Sequence, residues 1–189
     1  VEGGVVLEGI YLDVFQPALR EVGRLWQRNE ITVAVEHYCT AATQLAMAQL
    51  YPRIFTAARD KPVLVAVGVG GELHELGIQM VSDFFEMAGW SSIFLGTNVP
   101  SDHVVSAVEE HDAGLLALSV TLTPHLSEAQ TLIESLRDRV GAGLPVLVGG
   151  SPFIETDTLW SRIGADASAR DAREAVRAGE RLLGTAAAG

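Results

Sequence analysis

Apolar positions follow two different periods on either side of residue 60. Upstream, Leu7, Ile10, Tyr11 and Val14 recur at three- and four-residue intervals, the spacing of one helix face. Pro17 suits the first turn of a second helix, whose apolar stripe is Leu19, Val22, Leu25 and Trp26. Asn29-Glu30-Ile31 breaks the pattern, and Thr32 is placed to cap a third helix over 33–55. Ala41, Ala42, Leu45, Ala46 and Leu50 are predicted to face inward on it. The helical reading spans about residues 4–59, a thin bundle that needs something to lie against.

After Asp60-Lys61-Pro62 the pattern becomes short β-branched runs alternating with amphipathic stretches. Strands are predicted over 63–67, 92–95, 115–120, 146–148 and 165–167, and helices over 75–87, 102–110, 127–140, 158–163 and 174–183. Buried strands alternating with helices imply right-handed crossovers and a parallel sheet. Five of them suit the flavodoxin-like (Rossmann-like) order, with its ligand crevice beside the first and third strands. The expected fold is therefore α followed by α/β, with a helical bundle over residues 1–60 and an α/β domain over 61–189.

Composition narrows the function. The formal charge of −11 (13 Lys and Arg against 24 Asp and Glu) disfavours contact with nucleic acid. The single cysteine, Cys39, excludes an internal disulfide or a Cys-rich metal site and fits a reducing, cytoplasmic setting. No apolar run reaches the length of a membrane span, and no signal-peptide pattern is present. Val1 is not an initiating methionine, so a fragment is expected.

The first strand ends in Gly68-Val69-Gly70-Gly71. A dinucleotide fingerprint would need a third glycine three residues after Gly70, and Leu73 stands there. His74 follows, on the strand edge where open α/β sheets bind ligands. Glu72, two residues earlier, lies on the same side of an extended segment. Its carboxylate can hold one ring nitrogen and leave the other as a metal ligand. The plain alternative is a loop histidine bonded to a carbonyl. The loop after the third strand offers Ser119 and Thr121, and the loop after the fourth offers Gly149-Gly150, where a bulky group can approach the backbone.

Glu72-x-His74-x-x-Gly77, then Ser119-x-Thr121, then Gly149-Gly150 resembles the signature of the cobalamin-binding domain family. The family has Asp where Glu72 stands. The resemblance implies base-off, His-on binding, with His74 as the lower axial ligand of cobalt, Ser119 bonding the buried base and the diglycine flanking the nucleotide tail.

In the helical part, Trp26 followed after nine residues by Glu36-His37 resembles the bundle motif of cobalamin-dependent photoreceptors, in which the Glu-x-His variant also occurs. That resemblance implies a light sensor holding adenosylcobalamin. Trp26 and Glu36 would lie against the adenosyl group, and His37 would ligate cobalt after photolysis. It extends to the photocobilins, which hold biliverdin as a second chromophore, and Cys39 is a conceivable attachment point. His125 is placed to approach a ligand from the third-strand loop. A homo-oligomer is expected. The competing readings are a corrinoid carrier of a methyltransferase system and a mutase subunit or cobalamin store.

Overall fold

The computed structural model describes residues 6–55, 58–156 and 158–184. It divides into two compact units, Val1–Thr56 and Ala57–Gly189. Parts of the predicted helical stretch, residues 4–5 and 56–57, lie outside the described residues.

The first helical run departs from expectation. The two helices predicted on either side of Pro17 are one continuous run: α1 (Leu7–Gly9), a π segment (Ile10–Phe15) and α2 (Gln16–Gln27). The Gln16 N–H reaches back to the Tyr11 carbonyl, five residues away. Pro17 has no N–H, and its ring crowds the preceding turn. A widened turn absorbs that conflict without breaking the helix. Thr32 does cap α3 (Val33–Ala48), its Oγ1 accepting from the Val35 N–H at 3.4 Å. The helix stops at Ala48, and a short α4 (Tyr51–Ile54) follows with Pro52 in its first turn, so the single helix over 33–55 is interrupted. Of the predicted inward face only Leu50 holds. Ala41, Ala42, Ala46 and Leu45 (67 % exposed) face out, whereas Met47, Leu50 and Ile54 are buried.

The α/β unit follows the expected plan. Five parallel strands, β1 (Val63–Gly68), β2 (Ser91–Phe94), β3 (Leu115–Ser119), β4 (Val146–Gly149) and β5 (Ala167–Ala169), lie in the order β2-β1-β3-β4-β5. Helices α5 (Leu76–Met87) and α10 (Ala172–Leu182) cover one face, and α6 (Ser101–Glu110) and α7 (Leu126–Arg139) the other. Short α8 (Ser151–Glu155) and α9 (Leu159–Arg162) connect β4 to β5.

The two faces of the sheet differ. Strand alternation puts Val65, Val67, Val69, Leu116, Leu118, Val120, Val146 and Val148 against α6 and α7, bulky from end to end. On the other face, side chains shrink toward the carboxyl edge: Leu64, Ala66, Gly68 on β1; Leu115, Ala117, Ser119 on β3; Leu147, Gly149 on β4. The register aligns Gly68, Ser119, Gly149 and Ala169 in one row across four strands. Small residues thus line the edge of a single face.

Candidate cofactor site

The loops that leave β1, β3 and β4 at that row each carry a site residue. After β1, the chain turns through Gly71 (φ +77°), and Glu72 folds back under the loop, fully buried. One oxygen, Oε1, accepts from the Leu73 N–H at 3.0 Å, the His74 N–H at 3.1 Å and His74 Nδ1 at 2.5 Å. The other, Oε2, accepts from the Thr121 N–H at 2.7 Å, across the gap to the β3 loop. Burial pushes the Glu72 pKa up. The hydrogen bonds from the His74 ring, the Thr121 N–H and the His74 N–H outweigh that and hold it well below the usual carboxylate range.

A carboxylate that accepts from Nδ1 fixes the imidazole tautomer, so the lone pair sits on Nε2. The His74 side chain is 53 % exposed above its fully buried partner. The expected Glu72–His74 contact is therefore made, with the longer Glu reaching both the ring and the neighbouring loop.

The remaining predicted residues take mixed roles. Thr121 contributes its backbone N–H to Glu72. Ser119 stands between Gly68 and Gly149 in the row of small residues. Gly150 has φ +115°, and a Cβ there would lie 1.9 Å from the Val120 carbonyl oxygen, so the close approach of the β3 and β4 loops demands glycine by itself. A Cβ at Gly149 would meet the Ala169 carbonyl at 3.3 Å. Gly77, at the exposed start of α5, has open space where a Cβ would be. His125 ends a 3₁₀ turn (Thr123–His125), with its ring against Gly71 and its Nδ1 3.7 Å from Glu72 Oε2.

One contributor was missed. Asn98, in the left-handed region (φ +59°) after β2, accepts the Gly71 N–H on its Oδ1 at 3.1 Å and so ties the β2 loop to the β1 loop. Its signal was present: Gly96-Thr97-Asn98 is a turn-forming stretch at the same sheet edge.

In the helical unit, Glu36 and His37 pair on the first turn of α3. His37 Nδ1 donates to Glu36 Oε2 at 2.5 Å, and the Thr40 hydroxyl donates to Glu36 Oε1 at 2.8 Å. His37 is 76 % exposed, Trp26 is 44 % exposed at the end of α2, and Cys39 is half-buried. Among the described residues, no group of three or more His, Cys, Asp or Glu could hold a metal ion, and no helix is long and apolar enough to cross a membrane.

The family profile described as B12 binding domain matches residues 62–178, and a second profile with the same description matches residues 2–51. The chain belongs to the B12-binding domain family. This B12-binding protein is 30 % identical over 169 residues to a corrinoid protein of Desulfitobacterium hafniense, covering 86 % of this chain and 77 % of that one. It is 30 % identical over 171 residues to dimethylamine corrinoid protein 1 of Methanosarcina acetivorans, covering 87 % and 78 %. Its fold matches that of the monomethylamine corrinoid protein of Methanosarcina barkeri with a TM-score of 0.85 at 23 % identity, covering 96 % of this chain and 86 % of that one.

These relatives overturn the light-sensing reading. They are named as corrinoid proteins, three of them here without any photoreceptor, and biliverdin finds no support among them. The motif that suggested a photoreceptor was short. Glu36, His37 and Thr40 satisfy one another within one helical turn, so their pairing needs no chromophore. Cobalamin as the cofactor stands; its adenosyl form is not supported.

Proposed function

We propose that this protein is the corrinoid carrier of a methyl-transfer system, binding cobalamin with His74 as the lower axial ligand and delivering it to a methyltransferase. The observation that supports the site is the fully buried Glu72, which holds Nδ1 of the exposed His74 and so leaves the Nε2 lone pair free for a metal. The methyl-transfer reading comes from the dimethylamine and monomethylamine corrinoid proteins it resembles.

The residues present fit the cofactor. The row Gly68, Ser119, Gly149, Ala169 makes one sheet face shallow at the carboxyl edge, where a long substituent can lie. Gly77 keeps the start of α5 clear. In this reading Ser119 supplies a hydroxyl to the tail, and Gly149 and Gly150 flank it. Bound cobalamin supplies a cobalt ion that accepts and gives up a methyl group. The protein's part would be to hold that ion through His74. Glu72 keeps the proton on Nδ1, and its bonds to two loops stop the imidazole from swinging.

The test is reconstitution with hydroxocobalamin, followed by incubation with a methylamine and its methyltransferase. One methyl group taken up per bound cobalamin is expected, and none without the methyltransferase. In the reduced protein, electron paramagnetic resonance should show nitrogen coupling from imidazole, lost in His74→Ala. Uptake of cobalamin without any methyl loading would sink the carrier reading. Imidazole coupling that persists in His74→Ala would sink the ligand assignment.

A further inference from the structure

The outer side of α10 carries the charge that this chain otherwise lacks. Arg173, Arg177 and Arg181 recur every four residues on one side of the helix, Arg170 stands just before them, and all are exposed. With Lys61 they set five cations against three acids, Asp171, Glu174 and Glu180, in a chain that has 13 Lys and Arg against 24 Asp and Glu. Each of those acids is engaged elsewhere. Asp171 accepts the Glu174 N–H at 2.8 Å, Glu174 accepts the Arg170 N–H at 2.9 Å, and Glu180 takes Lys61 Nζ at 2.6 Å. Other arginines find carboxylates: Arg24 pairs with Glu21, Arg59 with Glu86 and Arg137 with Asp166. Arg177 and Arg181 pair with none among the described residues.

The helix beneath these arginines is fixed. Ala172, Ala175, Ala178 and Gly179 form its buried face, and a Cβ at Gly179 would stand 2.8 Å from Leu115 Cδ2 and 2.9 Å from the Phe85 ring. The guanidinium groups therefore project from a backbone packed directly on its neighbours. Their place matters as well. Arg170 follows Ala169, the last member of the row that runs through Gly68, Ser119 and Gly149. Helix α10 runs back from that carboxyl edge, so the ridge starts at the rim that carries His74 and descends one flank. From Arg173 to Arg181 it is ~12 Å long, at about 1.5 Å per residue.

We propose that this ridge is a docking surface for the methyltransferase, which meets it with an acidic face. The proposal rests on the carrier reading above. Guanidinium groups bind carboxylates through paired hydrogen bonds and are more weakly hydrated than ammonium, so arginine is the cation that interfaces favour. Charge complementarity names the partner's chemistry. An acidic protein face is attracted to the ridge and repelled by the rest of this chain, and the two effects together set its orientation. An enzyme seated there adjoins the edge that carries His74. A nucleic-acid backbone would overrun so short a ridge onto surface that repels it.

The experiment is methyl loading of the hydroxocobalamin-reconstituted protein by a methylamine methyltransferase, with the carrier concentration varied at low and at high salt. In Arg177→Glu and in Arg181→Glu the KM for the carrier should rise about fivefold at low salt with kcat unchanged, and the gap should narrow at high salt. Arg162→Glu changes net charge by the same amount on α9, whose Leu159 and Trp160 pack on the opposite face of the sheet. It should leave KM within about twofold of the parent's. Arg177→Lys, treated with a carbodiimide in the presence of the methyltransferase, should become amide-linked to an Asp or Glu of that enzyme. A KM equal to the parent's in both ridge variants would overturn the proposal. So would an equal rise in Arg162→Glu, which marks net charge alone, or linkage of Arg177→Lys only to a second copy of this chain. A parent that takes up cobalamin but no methyl group removes the carrier reading, and the proposal with it.

Discussion

Glu72 concentrates more of the site's order than any other side chain. Four N–H groups from two loops converge on it in a fully buried position. Glu72→Ala leaves those donors without acceptors, and we expect a loss of ~2–4 kcal/mol, read as a lower urea midpoint. The pH dependence follows from the direction of its shift. Its folded pKa lies below the ordinary 4.5, so the folded state prefers the ionised form. That stabilisation is complete above about pH 5 and drains away as acid protonates the carboxylate below 4.5. The cofactor-free Glu72→Gln protein should show a shallower fall in urea midpoint between pH 5 and pH 3 than the parent. Equal slopes would mean that the carboxylate is not held as described. Gly150 invites a second test. Any side chain there meets the Val120 carbonyl at 1.9 Å with an unfavourable φ, so Gly150→Ala should cost roughly 3 kcal/mol or more, visible as a large drop in Tm. At this scale the sequence was partly legible. The two-residue spacing of Glu72 and His74 announced their contact. The role of Thr121 did not show, because a backbone N–H belongs to every residue type, and only the fold decides which one reaches Glu72.

Among the elements, the sheet was readable and the helical unit less so. Strands such as Val63–Gly68 and Leu115–Ser119 are continuous apolar runs bounded by loops, and such runs have one stable placement, inside a parallel sheet. Helix α3 gives no comparable signal. Between Val33 and Ala48 its only formal charge is Glu36, and alanines fall on every side. Periodicity cannot separate inner from outer face when nearly all positions are small or apolar, so Leu45 was placed inside and Met47 overlooked. Proline was misread for a different reason. A first-turn proline marks a helix start only if the preceding turn is non-helical, and here a π segment carries the chain straight into it. Pro17→Ala restores a donor in that turn and should stabilise the unit by ~1 kcal/mol, with slower amide exchange over Ile10–Phe15. Exchange that quickens would show that the wide turn depends on the proline.

Across the whole molecule, the segment entering the sheet is fastened at several points. The Lys61 N–H bonds the Gly89 carbonyl at 3.3 Å, Lys61 Nζ reaches Glu180 at 2.6 Å, and Arg59 lies 3.1 Å from Glu86. Gly89 and Gly114 have no room for a Cβ beside Ala58 and Pro62. Residues 58–62 are therefore part of the α/β unit, and the sequence boundary drawn at residue 60 falls inside a tethered segment. Trypsin acting on the native protein should cut exposed arginines such as Arg20 or Arg28 before Arg59; first cleavage after Arg59 would contradict the tether.

The tapering of one sheet face has a consequence for cofactor choice. Bulky leucines at the amino end and glycine at the carboxyl end make that side a wedge. A wedge grips a guest along its length, so under the methyl-carrier reading the protein should hold intact cobalamin well and a corrinoid stripped of its nucleotide poorly. The discrimination would come from the missing appendage alone, since both molecules offer the same cobalt to His74.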